Sequence, residues 1–446
     1  MTLQFGSSGI RGKYADSITP ETAFELGRIL PKALGPRLAL GRDPRHSGSV
    51  LRAAFLSSAL EAGTEVTDYG MIPTPALAYQ TRGIEADGGV MITASHNPAE
   101  YNGFKIFNSK GESLEDSTIL VADTPAKNKP KQEYMQGRVR GGEPEAYTKR
   151  LSSIPFKKKW RVVLDTGNGG TGILAPEIYR GTVGNVTAIN SYPDGNFPGR
   201  GSEPTRESIA TLSKIVGEMK ADIGIAFDGD GDRFYVVDEK GSCPLQDRIL
   251  GSYLSFLARD SKGPFIVPID ASMAVDEALQ GTGAKLVRGP VGDAKLLAEM
   301  KKEGASFAGE PSGAWIHSEF HPCPDGILSG LLYLNQLEQQ GSSVSRAVEA
   351  IPEYYMVRKS LSVSKSASRL DPKLLSEGLE KIVGKNSTTD STYGLRVSSE
   401  DSWVLVRESG TEPVLRVTAE SKRPSVAGRI VKDTLALISR VLKGRT

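Results

Sequence analysis

Cysteine and histidine are scarce in this chain, and each scarcity narrows its chemistry. Two cysteines, Cys243 and Cys323, stand in 446 residues. They form no C-x-x-C and cannot build a disulfide framework, which suits a reducing cytoplasm. Four histidines with no H-E-x-x-H run argue against a zinc enzyme. No uninterrupted apolar run reaches the roughly 20 residues of a membrane span. Residues 1–6 show no basic stretch leading into an apolar one, so neither a membrane partner nor a secretory signal is expected. An excess of one charge is missing as well. Lys and Arg number 55 against 53 Asp and Glu, a net charge of +2, so no global field draws the protein to nucleic acid. The run Lys157-Lys158-Lys159 precedes a strand signal and is expected as a solvated loop.

What remains is an ordinary globular composition, 38% hydrophobic and 24% charged. The length exceeds one core and calls for three or four domains. Helix and strand signals alternate through the first three quarters. Residues 49–62 spell an amphipathic helix closed by Gly63, and Val90-Met91-Ile92, Val162-Val163-Leu164 and Phe265-Ile266-Val267 spell buried strands. Such alternation predicts mainly parallel sheets with crossover helices.

The most telling run is Asp228-Gly229-Asp230-Gly231-Asp232-Arg233. Three carboxylates held together are unfavourable unless a cation sits among them. The glycines allow a turn tight enough to aim all three at one point. The apolar stretch 222–227 before it is a strand, so the triplet belongs at a strand end, where open α/β sheets bind ligands. An EF-hand calcium loop also begins Asp-x-Asp-x-Asp, and Glu239 falls at its twelfth position. Its sixth position should be glycine and is Arg233, and a strand signal follows where a helix is needed. A Mg²⁺-type catalytic site is the favoured reading, against a structural metal or a solvated turn.

The pattern recurs. Residues 88–92 lead into Thr93-Ala94-Ser95-His96-Asn97-Pro98, and residues 305–308 lead into Gly309-Glu310-Pro311-Ser312-Gly313. Three similar α/β units, each offering one strand-end loop to a shared cleft, are the simplest inference. The Ser95 hydroxyl could act as nucleophile or carry a phosphoryl group, and Asn-Pro alone is a turn. Glu310 beside Ser312 suits adjacent sugar hydroxyls, or is simply a tight turn. Residues 403–406 and 414–417 are two strands flanking Arg407-Glu408-Ser409-Gly410-Thr411-Glu412-Pro413. Arg407 offers a bidentate fork, Ser409 and Thr411 offer hydroxyls, Gly410 permits an anion nest, and Arg416 could add a charge. A polar hairpin tip is the alternative. Arg11 lies in a glycine-rich loop, 6–12, able to approach a phosphate, and Lys105 follows the Ser95 loop as either a general base or a surface lysine. Residues 124–142 are expected as a connection and 359–385 as polar and helix-like. A final helix capped by Ser425 closes a small α+β domain.

Together these four loops, in this order, resemble the α-D-phosphohexomutase family, over residues 5–416. The resemblance implies three related mixed α/β domains (1–145, 146–245 and 246–350) and a smaller α+β domain (351–446) around a central cleft. Ser95 would be the phosphorylated nucleophile, with His96 beside it in the catalytic set. Asp228, Asp230 and Asp232 would hold Mg²⁺ with the Ser95 phosphate. Arg11 and Arg233 would support the transferring group, and Lys105 would be the general acid/base. Glu310 and Ser312 would grip the sugar. Arg407, Ser409, Gly410 and Thr411, with Arg416, would hold the distal phosphate. Hexose phosphates would be the partners and a hexose 1,6-bisphosphate the intermediate. The protein is expected to be cytoplasmic, a monomer or homodimer. Two departures bear on the sugar: Ala314 stands where relatives often carry histidine, with His317 nearby, and Ser7-Ser8 replaces a frequent Thr-Asp pair. The form of residues 309–316 resembles archaeal phosphoglucosamine mutases. A metal-dependent phosphatase and a non-catalytic sugar-phosphate binder are the competing readings.

Overall fold

The structure, a computed structural model, describes residues 5–6, 9–114, 137–362, 372–384, 386–408 and 414–443. One motif occurs three times. In the first unit, strands Arg37–Arg42, Glu65–Met71 and Gly88–Ile92 run parallel, and Tyr101–Asn108 returns antiparallel beside Gly88–Ile92. In the second, Trp160–Asp165, Gly184–Ile189 and Ile223–Phe227 are parallel, and Phe234–Val237 returns. In the third, Phe265–Pro268, Leu286–Gly289 and Phe307–Gly309 are parallel, and Trp315–His317 returns. The first strand is always central, the second lies on one side, and the third and its return lie on the other. Helices cross between the parallel strands, as parallel pairing requires. Leu38-Ala39-Leu40, Val90-Met91-Ile92 and Ile223–Phe227 are buried throughout, the continuous apolar character of strands covered on both faces.

This repetition decides where chemistry can sit. In each unit the turn between third strand and return holds one predicted loop: Ser95 in the first, the aspartate triplet in the second, Glu310 and Ser312 in the third. The expectation of three units with equivalent strand-end loops is met.

The first unit is enlarged at both edges. Gly9–Lys13 pairs with Tyr101–Asn108, and Phe5–Gly6 pairs with Gly9–Lys13. Arg11 therefore rises from a strand rather than from a glycine loop. At the other edge Arg138–Gly141 joins Glu65–Met71, so the end of the predicted connection is a strand. Its four residues are all exposed, which is why no apolar alternation announced it. Residues 124–136 of that connection lie outside the described residues.

The fourth unit is a five-stranded antiparallel sheet. Helices Pro372–Val383 and Pro424–Lys443 cover one face, over Val404, Val406, Val417 and Ala419. Two expectations are corrected here. Residues 355–362 form an edge strand, and the helix occupies only 372–383. Edge exposure left Arg358, Lys359 and Ser360 polar and hid the strand. The last helix begins at Pro424, whose fixed φ suits a first turn, so Ser425 lies inside the helix rather than capping it.

One continuous apolar cluster runs through the first three units, from Ala39 to Val348. The fourth unit meets the third through a much smaller patch, Ile269 against Trp403 and Leu405. Glu420, held by Trp403 Nε1 at 2.6 Å within the fourth unit, adds a polar tie by accepting from the Met273 amide at 2.9 Å. No helix among the described residues is long and apolar enough to cross a membrane.

Candidate active site

The Ser95 loop is built around a buried guanidinium. Arg45 and Asp43 are both inaccessible to solvent and pair at 3.0 Å. Arg45 Nη2 donates to the carbonyls of Ser95 (2.8 Å) and Asn97 (2.6 Å), and Nη1 donates to Tyr101 O (2.9 Å) and Pro98 O. Phe197 lies against the guanidinium, 5.0 Å from ring centre to Cζ. Asp43 also accepts from Thr93 Oγ1 (2.7 Å), which accepts in turn from the Ser95 amide (2.8 Å). From the second unit, Ser202 Oγ stands 2.7 Å from both His96 O and Asn97 O. This framework holds Ser95 at a φ of 51°, a left-handed conformation costly for a side-chain-bearing residue and frequent at functional sites.

The aspartate loop faces Ser95. Gly229 must be glycine because a Cβ there would stand 2.6 Å from Ser95 O. Gly231 has φ +82° and would drive a Cβ into Thr171. All three aspartates are buried. Asp228 Oδ1 accepts from the Gly231 and Arg233 amides, and Oδ2 accepts from Ser95 Oγ at 2.8 Å. Asp230 Oδ2 accepts from Thr74 Oγ1 at 2.6 Å and pairs with Lys105 Nζ at 2.8 Å. Asp232 Oδ2 pairs with the same ammonium.

Lys105 is thus a buried lysine on strand Tyr101–Asn108, not a surface one. Burial opposes its charge, but Asp230 and Asp232 reverse that and hold it above its ordinary pKa. Asp230 is likewise pulled down, against its burial, chiefly by Lys105. Asp228 is pushed well up by burial and by its two neighbours.

The loop fits a hard divalent cation. One carboxylate oxygen from each aspartate lies within 4.8 Å of the others. Asp230 Oδ1 and Asp232 Oδ1 are buried without a hydrogen-bond partner. An all-oxygen set of this kind suits Mg²⁺. The EF-hand alternative fails on two counts. The chain returns as a strand, and Glu239 is engaged by Ser345 in another part of the fold.

Arg233 ties the second loop to the third. Its backbone bridges to Ala314, and its charge is reinforced, against burial, by Asp232 and Asp228. Glu310 accepts from the Gly292 amide (3.0 Å) and from Ser312 Oγ (2.9 Å). His96 Nδ1 lies 3.4 Å from Ser95 Oγ, and burial plus Arg233 and Arg11 lower its pKa to about 2. Arg11 Nη1 reaches Asn97 Oδ1 at 3.5 Å, and its Nε is buried without a partner.

Beside Ser312 opens a cavity of about 680 Å³, a size suited to a small ligand. Arg407 and Arg416, directly paired across neighbouring strands, line it together with Arg358, Glu203 and Asp270. Arg407 Nη2 lies 3.8 Å from Asp270 Oδ2. The predicted Ser409, Gly410 and Thr411 lie outside the described residues.

Comparison with known proteins agrees with this arrangement. The sequence matches the alpha/beta/alpha domains I, II and III of phosphoglucomutase/phosphomannomutase at residues 2–129, 145–241 and 246–355. It matches the C-terminal domain at 367–437. A probable phosphoglucosamine mutase of Methanosphaera stadtmanae is 36% identical over 451 residues, covering 98% of each chain. The chain belongs to the phosphoglucomutase/phosphomannomutase family. A phosphoglucosamine mutase of Methanococcus maripaludis is 34% identical over 97% of this chain and 98% of its own. A crystal structure of a phosphoglucomutase/phosphomannomutase family protein from Burkholderia thailandensis superposes with a TM-score of 0.84 at 25% identity, covering 99% of both chains.

For this family member, sequence reasoning passed over Arg45, Thr74 and Ser202. Arg45 ends the turn-like Gly41-Arg42-Asp43-Pro44-Arg45, and Thr74 stands between two prolines at a strand end. Those turns were the available signal, but nothing in them says what they hold. His317 does not take the place of a histidine at Ala314. It is buried beside Tyr253, Phe307 and Trp315 and meets Ser329 Oγ at 3.2 Å.

Proposed function

We propose that the protein is a phosphohexomutase that interconverts hexose 6-phosphate and hexose 1-phosphate, with glucosamine phosphate as the preferred substrate. The observation that carries the reading is the convergence of a serine loop, an acidic triplet and a sugar-type loop from equivalent positions in three repeated units. Full-length similarity to phosphoglucosamine mutases supports the choice of sugar. The four units are taken as residues 1–145, 146–245, 246–350 and 351–446, in a cytoplasmic monomer or homodimer.

In this reading Ser95 carries a phosphoryl group. The bond from Ser95 Oγ to phosphorus breaks as the free sugar hydroxyl bonds to the same phosphorus, giving a hexose 1,6-bisphosphate. The hydroxyl proton passes to the catalytic base; Lys105 can take and return it only as the neutral amine, which requires Asp230 and Asp232 to be engaged by the cation rather than by its ammonium. The bisphosphate turns end over end, and its other phosphoryl group returns to Ser95. Arg11 and Arg233 bring donors to the transferring group, with His96 neutral beside them. Glu310 and Ser312 bind sugar hydroxyls. Arg407 and Arg416, with Ser409, Gly410 and Thr411, hold the distal phosphate. Mg²⁺ held by Asp228, Asp230, Asp232 and the seryl phosphate would neutralise charge on the transferred group. The small junction between third and fourth units supports a fourth unit that opens and closes as the intermediate turns.

The test is phosphorus NMR of purified protein with Mg²⁺ and a trace of hexose 1,6-bisphosphate, supplied in parallel with glucosamine, glucose and mannose 6-phosphates. Appearance of the 1-phosphate, fastest with glucosamine, is expected. Release of inorganic phosphate instead means a phosphatase, and fastest conversion of glucose or mannose overturns the sugar assignment.

A further inference from the structure

The aspartate loop is gripped from three sides. Gly170 N donates to Gly229 O at 3.0 Å from within its own unit. Gly326 N, opening a helix of the third unit, donates to Gly231 O at 3.1 Å. Thr74 N, at the first position of helix Thr74–Gly83 in the first unit, donates to Asp230 O at 2.9 Å. Thr74 differs from the two glycines because its side chain also acts. Thr74 Oγ1 donates to Asp230 Oδ2 at 2.6 Å, and Thr74 is buried at 1% exposure.

Asp230 therefore has its carbonyl and one carboxylate oxygen fixed by a single residue, with Lys105 Nζ on the same Oδ2. Its Oδ1 is left buried and without a hydrogen-bond partner, in a carboxylate that has one oxygen within 4.8 Å of an oxygen of each of Asp228 and Asp232. An aspartate side chain keeps two torsions, about Cα–Cβ and Cβ–Cγ, once its backbone is set. Two donors converging on Oδ2 from different directions restrain both, and the helix N-terminus at Thr74 favours the negative charge. We infer that Thr74 is a positioning residue for cation binding: its hydroxyl locks Asp230 so that Oδ1, rather than Oδ2, is presented to a divalent ion. Groups that orient a metal's ligands commonly change affinity by about ten- to a hundredfold when lost. Because Thr74 belongs to the first unit, the same bond makes cation affinity depend on how the first and second units are docked.

The inference rests on the reading of the aspartate loop as a cation site. The test titrates Mn²⁺ into the full chain and reads free Mn²⁺ by electron paramagnetic resonance, without turnover, on wild type, Thr74→Val, Thr74→Ala and Thr74→Ser. Circular dichroism and the melting temperature without metal are measured on each. The expected result is a Mn²⁺ dissociation constant raised about tenfold in whichever of T74V and T74A is folded. T74S should stay within about twofold of wild type, since it keeps the donor. Equal affinity in wild type and a folded T74V or T74A overturns the positioning role and leaves the cation site standing. A T74S variant as weak as T74A also overturns it, because the missing methyl group and not the hydroxyl would then be responsible. A wild type that binds no Mn²⁺ removes the cation site itself, and this inference with it.

Discussion

Ser95 Oγ donates a 2.8 Å hydrogen bond to Asp228 Oδ2, joining the serine loop of the first unit to the acidic loop of the second. The bond spans 133 residues of sequence and lies wholly in the interior. It places the proposed nucleophile against a carboxylate whose pKa is pushed well up by burial and by Asp232 and Asp230, where added positive charge is favoured.

Ser95→Ala should abolish phosphoryl transfer, with kcat reduced at least about a thousandfold, because no other group takes over a covalent nucleophile's part. Substrate affinity should remain within about threefold, since the proposed mechanism puts Ser95 at the reacting end and not at the distal phosphate. Single-turnover transfer from a ³²P-labelled bisphosphate and equilibrium binding check the two halves. Retained turnover sinks the phosphoserine mechanism.

Arg45 supports the serine loop by pairing four of its carbonyls and one buried aspartate. Arg45→Met removes one partner of a fully buried ion pair and strands Asp43. Loss of about 3–5 kcal/mol is expected, seen as a lower denaturant midpoint. Asp43→Asn in the R45M background should recover part of it, because the stranded charge is gone. An R45M variant as stable as wild type would mean that the pair is dispensable to the loop.

Much of this site was legible in the sequence, and the limit has a physical cause. Chemistry that is local in the chain announced itself: Asp228, Asp230 and Asp232 alternate with small residues, and Ser95 follows an apolar strand. The repeated strand-end pattern was legible too, because each unit repeats its own short-range signals. Supports that act across units were not. Thr74 and Asp230 are 156 residues apart, and Lys105 reaches Asp232 over 127. A lysine on a strand that also carries Asn102 and Asn108 looks like a surface residue until its partners are in place. Edge strands such as Arg138–Gly141 and Tyr355–Ser362 carry little apolar periodicity, so residues 138–141 resemble a connection and 359–362 a polar helix until the pairing is seen.

In the proposed mechanism Arg407, which lines the cavity beside Ser312, binds the distal phosphate and not the transferring group. Arg407→Ala should raise KM about ten- to hundredfold, the worth of charge-assisted hydrogen bonds to phosphate, while kcat falls by less. Asp270→Asn gives the opposite control. It frees the guanidinium from a carboxylate 3.8 Å away, so KM should fall or stay level. Steady-state kinetics at saturating Mg²⁺ separate these outcomes. An unchanged KM in R407A removes the phosphate assignment.

His317 makes acid stability a test of the third unit. Burial, with His321 adding to it, lowers the His317 pKa to about 3 from an ordinary 6.5. The folded protein therefore keeps this ring neutral where the unfolded chain protonates it. Its contribution is fully present above pH 6.5 and is lost progressively as pH falls from 6.5 towards 3. Melting temperature should drop across that window in wild type. His317→Gln removes the titrating group while keeping a polar side chain near Ser329 Oγ. Its melting temperature should be lower at pH 8, because a well-packed ring is lost from among Tyr253, Phe307 and Trp315. The decline between pH 6.5 and 4 should nevertheless be shallower than in wild type. Parallel curves for the two proteins would mean that His317 takes up its proton as readily folded as unfolded, which its buried place against Trp315 does not allow.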